Sequence, residues 1–381
     1  MHKGIIIFHH PRQLVMNGSS GSQVRPKKMI QAFEESGFEV LLVTGDSQQR
    51  KKMISEVINS SKASDYKFIY SENHTLPLFL TDPDHVPRNI LADYKLFIWA
   101  KRHKIPIGLF YRDIYWRLKE KVNTRRWLSD SVKLPFFILE LIIYKLFVDH
   151  YFLPAIDMNR YFPLKIPIDR SSELPPGCDR KISHPKDKSN WTVNRKILLI
   201  YVGGISPPIY DISKTIQVMT KLPEIRLTII CRPDEWELHK SYYLKELPTN
   251  IEVVHASGLG LKKYLEEADG MLLYRAPTEF SKLAMPIKIF EALQEGLPVI
   301  TNKYTNAGDF VEKNKIGWTV NSDDKLLELL RYLVQKPDVL TEMRSRILAI
   351  AESHTWCARA LTVRRILLNE PLDSNENRKM V

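Results

Sequence analysis

Cysteine is nearly missing from this chain: Cys178, Cys231 and Cys357 are the only three in 381 residues. An odd, widely spaced set provides neither a disulfide framework nor a cysteine-based metal cluster, and a reducing cytosol is the expected setting. Glycine is sparse too, 15 residues against 23 prolines, which excludes a flexible glycine-rich architecture. No clean apolar run of about 20 residues is present to span a bilayer. The apolar stretch at Gly4–Phe8 stops at His9-His10-Pro11. That is too short for a signal-peptide core, which also needs a small-residue cleavage site, so it reads as a parallel strand buried on both faces.

What the chain does contain is an ordinary globular composition, 44% hydrophobic and 26% charged, which excludes wholesale disorder. At about 150 residues per domain the length predicts two. The formal charge of +12 favours an anionic partner: nucleic acid, an anionic membrane face or a phosphorylated small molecule. Apolar strands expected over 4–8, 38–44, 66–70 and 106–111 alternate with helical patterns over 23–36, 47–59 and 88–104. A second series places strands over 196–202, 226–231, 251–254, 270–275 and 297–302, with helices over 211–221, 258–268 and 286–295. The rhythm predicts an α/β protein of two Rossmann-like domains with parallel sheets. The expected boundaries are 1–165, a proline-rich connection over 166–195, a second domain over 196–355, and a C-terminal helix and tail over 356–381 that returns to the first domain.

The most informative stretch is AMPIKIFEALQEGLPVITN, residues 284–302. Pro286 suits a first helical turn, Ile289 and Leu293 share a face, and Gly296 supplies a stop. Lys288 and Glu291 project near each other one turn into the helix. The helix N-terminus suits a phosphate, Lys288 adds charge beside it, and Glu291 can accept hydrogen bonds from vicinal sugar hydroxyls. Spacing alone also fits a plain exposed ion pair.

That segment resembles the donor site of retaining GT-B glycosyltransferases of family 4, bacterial surface-polysaccharide type, in which a helix bearing a Lys and a ribose-binding Glu precedes a G-x-P-V strand. Other features fall in the family's order. The loop ending Gly21-Ser22 resembles the glycine-rich loop that approaches the donor diphosphate. YVGGI, with Gly203 and Gly204, resembles the first strand-loop of the nucleotide-binding domain, and IICRPDEWE (229–237) stands where the nucleobase-contacting loop follows the second strand. The resemblance covers roughly 3–365. It implies two domains facing a central cleft, a UDP- or GDP-linked sugar donor in the second, a lipid-linked or polysaccharide acceptor in the first, and no donor-site metal. It also implies a cytoplasmic protein, peripheral on the inner face of the plasma membrane.

The chain departs from the pattern in three places. Leu283 stands where the family has the first of two glutamates, and Glu279 is four residues away. The loop GGISPPIYD lacks the family's Arg and Lys, leaving Arg232, Arg275 and Lys288 to meet a diphosphate. In YRDIYWR (111–117), Arg112-Asp113 stands where the family often has His-Asp. Asp113 can orient an acceptor hydroxyl or take its proton, and Arg112 can meet a phosphate; a helix cap is the plain alternative for Asp113. Arg25 and His74 are further phosphate or acceptor candidates, each with a structural alternative. Asp82-Pro-Asp84 imitates a metal-binding pair but reads as a turn.

Basic residues over 117–126 precede the apolar run 132–148. They suggest a buried helix with a basic rim, or a seat on an anionic bilayer. Two other roles stay open: a non-catalytic nucleotide-sugar-binding subunit, motivated by Leu283 and the missing basic loop, and a sugar-nucleotide epimerase of the same architecture. Nucleic-acid binding is disfavoured, because no basic-aromatic stacking platform stands out.

Overall fold

The computed structural model describes residues 3–14, 21–60, 62–118, 124–180, 195–243 and 246–371, without the side chains of 21, 22, 60 and 124–131. The chain divides into two compact units, one of residues 1–177 with 356–381 and one of residues 178–355.

In the first unit, strands β1 (Ile5–His10), β2 (Glu39–Thr44), β3 (Tyr66–Glu72), β4 (Ile107–Phe110), β5 (His150–Leu153) and β6 (Ser171–Glu173) form one sheet in the order β2-β1-β3-β4-β5-β6. All pairs are parallel. Helices α1 (Gly21–Glu35), α2 (Ser47–Ser60), α3 (Ala92–Arg102) and α4 (Thr124–Phe147) connect them. Ile6, Ile7 and Phe8 are fully buried, which is why β1 reads as a continuous apolar run instead of an alternating one. The chain leaves β1 toward β2 and then crosses back to β3 on its other side. In open parallel sheets such a reversal opens a ligand crevice at the carboxyl ends of the strands.

Helix α4 corrects one expectation. It is not buried all round: Phe137, Leu141 and Tyr144 face the core, while Val132, Leu139, Ile142 and Leu146 are exposed. Those four recur at helical spacing and form one apolar stripe. Glu140, inside the apolar run, faces inward and accepts hydrogen bonds from the Leu78 amide (2.8 Å) and the Tyr144 hydroxyl (3.1 Å). Burial pushes its carboxyl up to about 8. An acid raised in this way favours the folded state below its unfolded value near 4.5, and that contribution fades as pH climbs toward 8. Glu140→Gln keeps the two acceptor contacts and removes the titration. Its melting midpoint relative to wild type is therefore expected to rise steadily between pH 5 and pH 8 in scanning calorimetry. A difference flat across that window contradicts the assignment.

The second unit holds β7 (Ile197–Val202), β8 (Ile225–Ile230), β9 (Ile251–Val254), β10 (Gly270–Leu273), β11 (Val299–Asn302) and β12 (Gly317–Val320), again parallel, in the order β12-β11-β10-β7-β8-β9. Its helices are α5 (Ser213–Met219), α6 (Pro233–Tyr243), α7 (Leu259–Glu267), α8 (Glu279–Leu283), α9 (Ile287–Gln294), α10 (Asn306–Asn314), α11 (Asp323–Gln335) and α12 (Asp338–Ala351). Here the order reverses between β7 and β10. The last helix, α13 (Trp356–Leu367), belongs to the first unit. Its Leu367 lies so close to β4 that a Cβ on Gly108 would meet Leu367 and Phe152 at 2.8 Å, so glycine is what permits the packing.

Strands β5, β6 and β12 and helix α6 lie where the sequence pattern shows none. The stretch 166–195 is not one connection. Ile168–Arg170 forms a 3-10 turn, β6 joins the first sheet, the units divide after Gly177, and 181–194 lies outside the described residues. Among the described residues, no helix is long and apolar enough to cross a membrane.

Candidate functional site

At the reversal point of the second unit, β7 runs into Gly203-Gly204 and β10 into Tyr274-Arg275. Asn302, at the end of β11, clamps the Arg275 backbone: its Oδ1 accepts from the Arg275 amide at 3.0 Å and its Nδ2 donates to the Arg275 carbonyl at 2.9 Å. The guanidinium lies 5.3 Å from the Tyr201 ring centre and 5.1 Å from that of Tyr210. Gly203, at φ +155°, leaves the space it needs, since a Cβ there would meet the Arg275 guanidinium at 3.0 Å. A Cβ on Gly204 would likewise meet the Tyr210 ring at 3.1 Å. The Tyr201 hydroxyl donates to the Gly204 carbonyl, and Tyr210 packs edge-on against Phe280 of α8. Arg275 is only 9% exposed, its Nε is buried without a partner, and it has no carboxylate partner among the described residues. A desolvated, oriented cation of this kind stabilises an anion far more strongly than a solvated one does.

The other proposed donor groups are arranged differently. Lys288 Nζ donates to both Glu291 carboxylate oxygens at 2.8 Å, so the half-buried pair is internally satisfied. No hydrogen bond joins it to the Arg275 cluster among the described residues. Pro286 is the N-cap of α9, one position before the first turn, and Gly296 follows the helix at φ +68°. Arg232 is largely exposed, 3.5 Å from Glu235. Leu283 is buried, and Glu279 forms an exposed i,i+3 pair with Lys282. The stretch expected as a nucleobase loop, 229–237, runs from the end of β8 through Cys231-Arg232 into the opening of α6. There Glu235 is the residue the pattern missed: its Oε1 accepts from Ser206 at 3.3 Å, its Oε2 is buried without a partner, and it lies against Gly204. A glutamate in the first turn of a charged helix reads as solvated, so only the fold reveals it.

In the first unit the carboxyl ends of β1, β3 and β4 gather His10, Asn73, His74, Arg112 and Asp113. Asp113 is 5% exposed. Its Oδ2 accepts from Thr75 at 2.9 Å and lies 3.7 Å from Arg112 Nε, while Oδ1 is buried without a partner. Burial pushes this carboxyl above the usual range against the pull of Arg112. The Arg112 amide donates to Asn73 at 2.7 Å, which sets the turn. His74 Nδ1 accepts from the Leu76 amide. Burial, then the Arg12 and Arg112 charges, take the His74 imidazole down to about 3, so it is neutral at physiological pH. Asp113 also accepts from the Tyr115 backbone amide, the contact of an aspartate that caps a turn.

Arg25 is not a solvated helix residue, and its Nη1 is buried without a partner. It is 5% exposed, pairs with Glu72 at 3.2 Å, and stacks 3.4 Å from the Phe110 ring centre. Asp82 accepts from the Ser47 amide and hydroxyl at the start of α2, and Asp84 pairs with Arg88. No group of His, Cys, Asp or Glu among the described residues is arranged to hold a metal. Gly21 and Ser22 open α1, and their side chains, with most of the loop before them, lie outside the described residues, as do Lys119, Lys121 and the side chains of Arg125 and Arg126.

Residues 184–353 match the family model "Glycosyl transferases group 1". No curated protein matches the chain in sequence. Among solved structures, HepE of Anabaena in complex with UDP aligns at 14% identity and TM-score 0.62, covering 97% of this chain and 100% of that one. The lipopolysaccharide outer core galactosyltransferase WaaB aligns at 12% and 0.59, covering 96% and 100%. WaaG, a glycosyltransferase involved in lipopolysaccharide biosynthesis, aligns at 13% and 0.52, covering 95% and 99%. At these identities the likeness is one of fold. The chain therefore has the GT-B fold of two Rossmann-like units, and the match to the glycosyl transferases group 1 model falls on its second unit.

Proposed function

We propose that the chain is a nucleotide-sugar-dependent glycosyltransferase acting with retention on a lipid-linked or polysaccharide acceptor. The observation that carries this reading is the buried, carboxylate-free Arg275 beside Gly203 and Gly204, at the point where an open parallel sheet binds its ligand. A leaving nucleoside diphosphate is the anion that such a cation suits, and UDP in HepE supports the uridine diphosphate option over guanosine. Transfer then proceeds on one face of the sugar, the diphosphate oxygens helping to take the acceptor proton, with Asp113 orienting the acceptor hydroxyl. The exposed apolar stripe of α4, flanked by Lys133 and Lys145, supports a peripheral seat on an anionic membrane at the cytoplasmic face. Buried Leu283 in place of a glutamate favours the second reading, a binding subunit without turnover.

Incubation with UDP- and GDP-sugars separates the two. Nucleotide release with an α-linked product from an α-linked donor, read by NMR, supports transfer. Stoichiometric binding without release supports the subunit. Opening the Lys288–Glu291 pair lets Glu291 reach the ribose, so Glu291→Ala is expected to lower turnover by about 10²-fold with the melting midpoint unchanged. Unaltered turnover removes Glu291 from the site.

A further inference from the structure

The first unit holds more positive charge at its strand ends than its own residues neutralise. Arg12 stands two residues after β1, its Nε is buried without a partner, and no carboxylate pairs with it among the described residues. His10 Nδ1 bonds the Arg12 carbonyl at 2.9 Å and Arg50 donates to the Pro11 carbonyl at 2.8 Å, so the turn bearing Arg12 is held from both sides. Arg112 stands at the end of β4, and both guanidinium groups act on His74, which lies between β3 and the Thr75–Asp113 contact. His10 and His74 are neutral at physiological pH, lowered by burial to about 4 and about 3. Arg112 lies 3.7 Å from one carboxyl, Asp113, whose Oδ1 is unpartnered and nine-tenths buried, so the two arginines are not matched by two carboxylates of their own.

We propose that Arg12 and Arg112 form a phosphate-binding subsite at the reversal point of the first sheet, beside Asp113, so that the acceptor carries a phosphate ester next to the hydroxyl that receives the sugar. The word acceptor rests on the transferase reading; the phosphate site itself does not. Two guanidinium groups match the two charges of a phosphate monoester, and their forked donors suit its oxygens. The free Asp113 oxygen is left for a neighbouring hydroxyl.

The test titrates the full chain, with saturating UDP present, against three probes: glucose, glucose 6-phosphate, and phosphatidylcholine vesicles containing phosphatidate. Ligand-observed NMR reads the sugars and flotation reads the vesicles. Binding of glucose 6-phosphate but not glucose, weakened about tenfold by Arg12→Gln and again by Arg112→Gln, supports a subsite for a soluble phosphate. Vesicle binding lost in Arg12→Gln while the sugar phosphate stays inert supports the same subsite for a lipid-borne phosphate. Equal binding of the two sugars, or full binding by both variants, overturns the proposal. Binding of glucose 6-phosphate seen only when UDP is left out also overturns it, because the phosphate site then belongs to the donor. UDP affinity, measured in parallel on Arg12→Gln and expected to be unchanged, keeps a failure here distinct from a failure of the transferase reading.

Discussion

Replacing Arg275 with methionine is expected to lower nucleotide-sugar turnover by roughly 10²–10³-fold, the loss typical when one preoriented group is withdrawn from a developing anion. Methionine is the informative choice, because it fills much of the space between Tyr201 and Tyr210 and leaves the Asn302 clamp on the backbone intact. The fold should survive: with no carboxylate pairing Arg275 in the described structure, removing the cation strands no buried anion. Arg275→Lys is the sharper comparison. It keeps the charge but loses the planar fork that lies against Gly203, and an intermediate rate is expected. UDP affinity measured alongside separates ground-state from transition-state binding. If affinity and kcat both hold in Arg275→Met, the site lies elsewhere in the unit. Gly203→Ala offers an independent check: its Cβ would push the guanidinium out of place, and activity should fall with Arg275 still present.

The sequence announced the architecture through continuous apolar strands, because a parallel sheet covered on both faces leaves no other pattern for β1, β3, β7 and β8. It concealed β5, β6 and β12, four, three and four residues long. β6 is Ser-Ser-Glu with no apolar residue, β12 is half-buried over three of its four residues, and β5 follows the apolar run of α4 with almost no break, so none stands out as a separate apolar strand. The site was legible as positions and not as partners. Gly203, Gly204, Arg275, Arg112 and Asp113 all fall at strand ends, where topology makes position informative. Arg25 was misread because the same sequence offset from a glycine loop serves a solvated arginine and a buried one. What decides is Glu72, 47 residues later, and the Phe110 ring. Glu235 and Arg12 were missed for the converse reason: each looks solvated locally, and only the unpartnered buried atom marks it.

The second large effect is expected in the first unit, from Asp93→Asn. Arg50 is 1% exposed and donates to both Asp93 oxygens, at 2.8 and 3.1 Å, while His9 Nε2 bonds the same carboxylate at 2.9 Å. His9 Nδ1 in turn meets Ser71 at 2.8 Å. The Ser71–His9–Asp93 chain imitates a hydrolytic triad, but all three residues are buried to within 3% and no substrate can reach the serine. Its work is positional: it ties β1, β3 and α3 together. Through Arg50 it also reaches the carbonyls of Pro11 and Gly45, so it fixes the turn that carries Arg12. Burial alone opposes a charged Asp93, yet the His9 hydrogen bond and the Arg50 charge hold its carboxyl well below the usual range. Asparagine keeps the shape and leaves a buried guanidinium unpaired, which costs about 3–5 kcal/mol and lowers the first unit's melting midpoint by about 10 °C. Arg50→Met combined with Asp93→Leu removes both charges, and recovery of most of the lost stability is expected. That double variant should still lose phosphate binding at Arg12, because the Pro11 carbonyl has lost its donor. A single Asp93→Asn variant within about 1 kcal/mol of wild type would show that the network is not what holds the strand ends in place.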